Sequence, residues 1–203
     1  MTAHQPPAVP GEDAYAVAAI ASSAGGIHAL GVLLGELGAD LPVPLLVVQH
    51  LDRRHSTVIA DVLARRTELN VKLAEQDERT EPGTVYIAPP DRHLLVASDG
   101  ILTLSNSALV HFVRPSADLL FESVAGAYGP RAIAAVLTGT GVDGAMGVDA
   151  VKSRGGTVIV QDPQSAEFTS MPQTALGTGA VDFVLPLEEI AAVIRGLVET
   201  KRH

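Results

Sequence analysis

The strongest constraint on this chain is an alternation in which short, branched apolar runs give way repeatedly to stretches whose apolar residues recur at helical spacing. A run apolar at every position buries both faces of a strand, and a helix between two such runs supplies the crossover that parallel pairing needs. The pattern predicts an α/β fold, doubly wound, with a mainly parallel sheet flanked by helices on both faces. Strands are expected at 15–21, 45–49, 71–74, 85–88, 133–137, 157–160 and 182–185, and helices at 26–37, 56–66, 116–128, 144–154 and 187–199. Ser116 after Pro115 reads as a helix N-cap, and Gly155-Gly156 as a helix stop. One segment departs from the rhythm. HLLVASDGILTL sets Asp99-Gly100 between two apolar runs, which predicts a hairpin with a two-residue turn at one edge of the sheet.

The 203 residues fit one large domain, expected over 14–203 after a proline-rich, disordered tail at 1–13. A net charge of −9 argues against nucleic acid, since phosphate binding needs a basic surface. No apolar run is long enough for membrane insertion, and no signal peptide opens the sequence. Cysteine is absent, which removes thiol nucleophiles and disulfides and suits a cytoplasmic setting. The histidine spacings match no metal motif, so no metal is expected.

Parallel strands finish at one edge of a sheet, and ligand sites gather there. The run AVAAIA ends at Ser22-Ser23-Ala24-Gly25-Gly26, PLLVVQ ends at His50, and AIAAVLT ends at Gly139, Thr140 and Gly141 with Asp143 beyond. A serine hydroxyl, an imidazole and a carboxylate are the parts of nucleophilic acyl transfer. The base takes the serine proton, and the acid orients the base. Ser23 has nucleophile-elbow spacing, with Ala21 at the first glycine position. Backbone N–H groups of the turn at Gly139, Thr140 and Gly141 are expected to hold the oxyanion.

Blander assignments stand beside these. Ser22 and Ser23 are small enough simply to fit a tight turn, His50 is a plausible strand-end residue, and Asp143 a plausible helix N-cap. A competing function exists too. Gly139-Thr140-Gly141-Val142-Asp143-Gly144 satisfies the dinucleotide fingerprint, and Asp162 follows at ribose-acid distance. Against it, Asp143 would put a negative charge inside the loop meant for a pyrophosphate.

Taken together, IASSAGGIHAL, VVQHLD, PGTVYIAPPDRHLLV, HFVRPSADLLFESVA, LTGTGVDGAMG and QDPQSAEFTSMPQTALGTGAVDFVLPLEEIA resemble, in order, the blocks of the chemotaxis protein-glutamate methylesterase family (CheB). The resemblance implies hydrolysis of glutamyl methyl esters on methylated chemoreceptor cytoplasmic helices, with glutamine deamidation in some members and no cofactor. It carries the nucleophile to Ser23, the base to His50 and the carboxylate to Asp143. The sequence departs from the family where Ala21 replaces Gly, Ala24 replaces Thr and Thr140 replaces Met. The last two lie near the reacting centre and raise a further reading, a non-catalytic receptor-binding scaffold. Arg53 and Arg54 are candidate contacts to an acidic receptor helix. Relatives commonly carry an N-terminal receiver domain; residues 1–13 are too few for one, so control by a separate regulatory protein is an expectation.

Overall fold

The computed structural model describes residues 14–51 and 57–200. Seven parallel strands form one sheet in the order β3-β4-β2-β1-β7-β8-β9, where β1 is Val17–Ser22, β2 Leu45–Gln49, β3 Asn70–Leu73, β4 Thr84–Ile87, β7 Ala132–Val136, β8 Thr157–Gln161 and β9 Phe183–Leu185. Six α-helices are described, α1 Gly26–Glu36, α2 Ile59–Ala64, α3 Ala117–Tyr128, α4 Ala145–Ser153, α5 Ser170–Gly177 and α6 Leu187–Glu199. The chain winds outward from β1 to one side, then returns to place β7 on its other flank. The strand order therefore reverses between β1 and β7, where open α/β sheets bind ligands.

Strand alternation divides the core in two. Ala18, Ile20, Leu45, Val47, Ile133 and Ala135 pack against α1, α2 and α6. Val17, Ala19, Leu46, Val48, Ala134 and Val136 pack against α3, α4 and α5 on the opposite face. Both layers bury aliphatic side chains almost exclusively, which is how a sequence with 3% aromatic residues still fills a core.

The expected hairpin forms, with β5 (His93–Val96) antiparallel to β6 (Leu102–Ser105). It stands as a separate two-stranded sheet and does not join the parallel one. Its turn also differs from expectation. Ala97 O accepts from the Gly100 amide at 2.9 Å, and Gly100 sits at φ +78, so Ser98 and Asp99 are the turn centre and Gly100 a left-handed bulge. The aspartate-glycine pair marked the hairpin but misplaced the turn by one residue.

Helix α5 is not legible in the sequence because SMPQTALG is short and carries Pro172, a residue tolerated only in a first turn. Ser116 caps α3, its hydroxyl accepting from the Leu119 amide at 3.4 Å. Gly155 takes a positive φ after α4, as a helix stop requires. Residues 1–13, like Arg53 and Arg54, lie outside the described residues.

Candidate active site

Strand register brings the first two candidate residues together. Ser22 pairs with Gln49, so the residues that follow, Ser23 and His50, leave the sheet side by side. The His50 amide donates to Ser22 O at 3.0 Å, and the Ser23 amide to Thr138 O at 3.1 Å. The serine loop is thus tied to both neighbouring strands.

The two serines part company here. Ser22 is fully buried and its hydroxyl donates to Gln49 Oε1 at 2.7 Å. Ser23 is half-buried, and among the described residues its hydroxyl makes no hydrogen bond. Ser23 and His50 line one open cleft of about 340 Å³ with Gly25, Gly26, Ile27, His28, Gln49 and Leu51. No hydrogen bond joins Ser23 to His50. Apo sites often close such contacts only on binding substrate.

Gln49 braces the pair, and sequence reasoning missed it. Its side-chain amide donates to Ser23 O at 2.7 Å and to His50 O at 3.0 Å. One buried side chain therefore holds the carbonyl of each residue. Gly26 leaves room for it: a Cβ there would lie 2.0 Å from Gln49 Oε1 and 2.7 Å from the Ser22 side chain.

Asp143 completes the set from the far side of the switch point. His50 Nε2 lies 2.8 Å from Asp143 Oδ2, so Nδ1 is the ring nitrogen left for proton transfer. Asp143 is a helix cap, but not of the helix it precedes. It sits at the start of α3, accepting from the Ala117 amide at 2.6 Å, the Asp118 amide at 3.1 Å and the Ser116 hydroxyl at 2.7 Å. Burial pushes the Asp143 carboxyl up, but the bonds from His50, the Ala117 amide and Ser116 together outweigh it and hold it below the usual carboxylate range.

The turn at 139–141 is partly spoken for. The Gly139 amide donates to Phe168 O at 3.0 Å, and the Gly141 amide to the Ser170 hydroxyl at 3.1 Å. Of the three, Thr140 keeps an N–H that no described residue accepts. Gly139 lies against Ser23, where an added Cβ would come within 2.8 Å of the Ser23 Cβ. The amides of Ala24 and Gly25 likewise have no acceptor among the described residues, and they precede the α1 N-terminus.

The dinucleotide alternative meets a physical obstacle. Helix α4 opens after the glycine-rich loop, yet its Gly144 and Gly147 amides donate to Asp118 Oδ1 at 3.0 and 2.8 Å. An internal carboxylate occupies the place a pyrophosphate would take. Among the described residues no cluster of three or more His, Asp or Glu side chains could hold a metal, and no helix is long and apolar enough to cross a membrane.

A parallel α/β sheet presenting a serine hydroxyl beside an imidazole bonded to a buried carboxylate has the parts of a serine hydrolase. The sequence model of the CheB methylesterase family matches residues 18–194. A relative from Leptospira interrogans is 39% identical over 177 residues, 87% of this chain and 92% of its own length. Protein-glutamate methylesterase/protein-glutamine glutaminase 4 of Myxococcus xanthus is 45% identical over 176 residues, and there the chain spans only 50% of the relative. The crystal structure of the Thermotoga maritima CheB methylesterase catalytic domain is similar with a TM-score of 0.86 and 37% identity, covering 90% of this chain and 98% of that one. The chain belongs to the CheB methylesterase family and is, by class, a protein-glutamate methylesterase.

Proposed function

We propose that this chain hydrolyses glutamyl methyl esters on the cytoplasmic helices of chemoreceptors, with Ser23, His50 and Asp143 as its catalytic triad. The observation that carries the reading is the 2.8 Å bond from His50 to a carboxylate buried at the start of α3, one strand away from a serine hydroxyl that bonds no described residue. Ser23 Oγ attacks the ester carbonyl and His50 Nδ1 takes its proton. Asp143, ionised well into the acid range, steadies the imidazolium. Methanol leaves with that proton. A water molecule then adds to the acyl-serine, again through His50, and releases glutamate and free Ser23. A glutamine side chain would follow the same path with ammonia leaving.

The oxyanion falls to the Ala24 amide, the donor next after the nucleophile, and to Thr140 N–H. Backbone donors do not depend on side-chain identity, so Ala24 and Thr140 are compatible with turnover. This argues against a purely non-catalytic scaffold. The methyl group offers nothing polar to grip, so recognition rests on the surrounding helix. Arg53 and Arg54, three and four residues beyond His50 in sequence, are proposed to meet its acidic surface. Incubation with methylated receptor should release methanol, and Ser23→Ala should stop the release while circular dichroism stays unchanged. Wild-type protein that binds receptor without releasing methanol would overturn the reading.

A further inference from the structure

Behind the His50–Asp143 pair stands a second acid, Asp118, equally buried, with the exposed His111 as its own imidazole neighbour. Its geometry answers that of Asp143. Asp143 precedes α4 and accepts from the first amides of α3; Asp118 lies in the first turn of α3 and accepts from the Gly144 and Gly147 amides of α4. Each acid seats the other's helix. The helices cross closely enough for this because residue 147 is glycine: a Cβ there would lie 2.5 Å from Phe121 Cβ.

The exchange has a direct consequence for residue 143. The Asp118 side chain pins Gly144 N–H, which belongs to the peptide immediately after Asp143. The Asp118 main chain donates to the Asp143 carboxylate itself. Both the backbone and the side chain of Asp143 are therefore referred to a single residue on α3. The remaining oxygen, Asp118 Oδ2, is the one buried side-chain polar atom among the described residues without a hydrogen bond. It lies 3.2 Å from His111 Nε2, close enough for an ion pair but not aligned as a bond. His111 belongs to a tight turn closed by reciprocal bonds between Val110 and Val113, with His111 and Phe112 at φ +48 and +65. That turn borders a second cavity of about 210 Å³, which also touches His50 and Asp143.

We propose that Asp118 is a positioning residue for the reaction: by seating the start of α4 it fixes where the Asp143 carboxylate meets His50. Burial pushes the Asp118 carboxyl up, and the charge of Asp143 adds to the rise against the opposing Gly147 and Gly144 amides and His111. Placing two acids this close is costly, and the positional constraint on Asp143 is what it achieves.

The proposal rests on the triad reading for its rate effect but not for its geometric one, so two readouts are needed. In Asp118→Ala the Gly144 and Gly147 amides lose their acceptor and Asp143 is free to shift. Displacement on the ångström scale costs about 100-fold in kcat, with KM for methylated receptor unchanged. Asp118→Asn keeps an oxygen for both amides and should restore most of the rate. Independently of turnover, the ring proton shared by His50 and Asp143 should give a strongly downfield proton NMR resonance. That resonance should persist in Asp118→Asn and vanish or move upfield in Asp118→Ala. A folded Asp118→Ala protein with wild-type resonance and kcat overturns the proposal. If Asp118→Ala does not fold, Asp118→Asn decides: loss of the resonance in that variant, despite the retained acceptor, overturns it as well. If even wild type releases no methanol, the esterase reading fails and the resonance alone judges Asp118.

Discussion

The serine–histidine rim and the aspartate rim of this site are held by different means. Ser23 and His50 are placed by backbone: they follow paired positions of adjacent parallel strands, and Gln49 fastens their two carbonyls. Asp143 is placed by side-chain bonds to helix amides, across the switch point, in a reciprocal exchange with Asp118. On the proposed triad, catalytic and structural duties are separable on the first rim and fused on the second. The Ser23 hydroxyl bonds nothing described, whereas the Asp143 carboxylate accepts four bonds, from His50, Ala117, Asp118 and Ser116.

The sharpest way to break this contrast is to delete each function and read rate and stability together. Ser23→Ala and His50→Ala should each lower kcat about 10⁶-fold. Ser23→Ala should leave Tm unchanged, because the hydroxyl bonds no described residue. Asp143→Asn should lower kcat about 10⁴-fold, through the wrong tautomer of His50, and should also lower Tm, because α3 loses an ionised cap. Equal Tm values for Ser23→Ala and Asp143→Asn, measured by calorimetry, would erase the proposed difference between the rims.

A smaller effect probes the backbone-held side. Gln49→Ala removes the acceptor of the Ser22 hydroxyl and one donor each from the His50 carbonyl and the Ser23 carbonyl, which keeps the Gly26 amide, a loss of about 1–3 kcal/mol in denaturant unfolding. It should reduce kcat far less than Asp143→Asn, since strand pairing still sets the Ser23 and His50 positions. A larger rate loss in Gln49→Ala than in Asp143→Asn would reverse the assignment.

The smallest effect is acid linkage. The folded Asp143 carboxyl lies below its unfolded value of about 4, so its stabilisation is fully present above that value and is lost as pH falls through the folded one. Asp118 runs the other way. Raised in the fold, it adds stability below the unfolded value that is lost as pH rises through its folded one. Asp143→Asn should therefore lose less stability on acidification than wild type, and Asp118→Asn more. Parallel acid curves for all three proteins would contradict the opposed roles.

Much of this arrangement is legible in the sequence because strand ends are. Fully apolar runs mark buried parallel strands, and the residues that stop them, Ser22-Ser23, His50 and the loop before Asp143, announce the rim. What the sequence hides is whatever depends on two elements crossing. Asp118 reads as an ordinary acid in a first helical turn until α4 is laid against α3. Asp143 reads as a cap for α4 when it caps α3. Gln49 looks like the last residue of a strand; its function appears only when register sets it beside Ser22. The expected oxyanion turn narrows for the same reason, since the acceptors of the Gly139 and Gly141 amides, Phe168 O and the Ser170 hydroxyl, come from a segment some thirty positions away.

The central claim is that Ser23 is the nucleophile and that His50 activates it. Reaction with a fluorophosphonate, followed by peptide mass spectrometry, tests this most directly. The account predicts one adduct per chain, on Ser23, formed rapidly in wild type and abolished in His50→Ala. An adduct on Ser22 or elsewhere, or labelling of Ser23 at the same rate without His50, would contradict it.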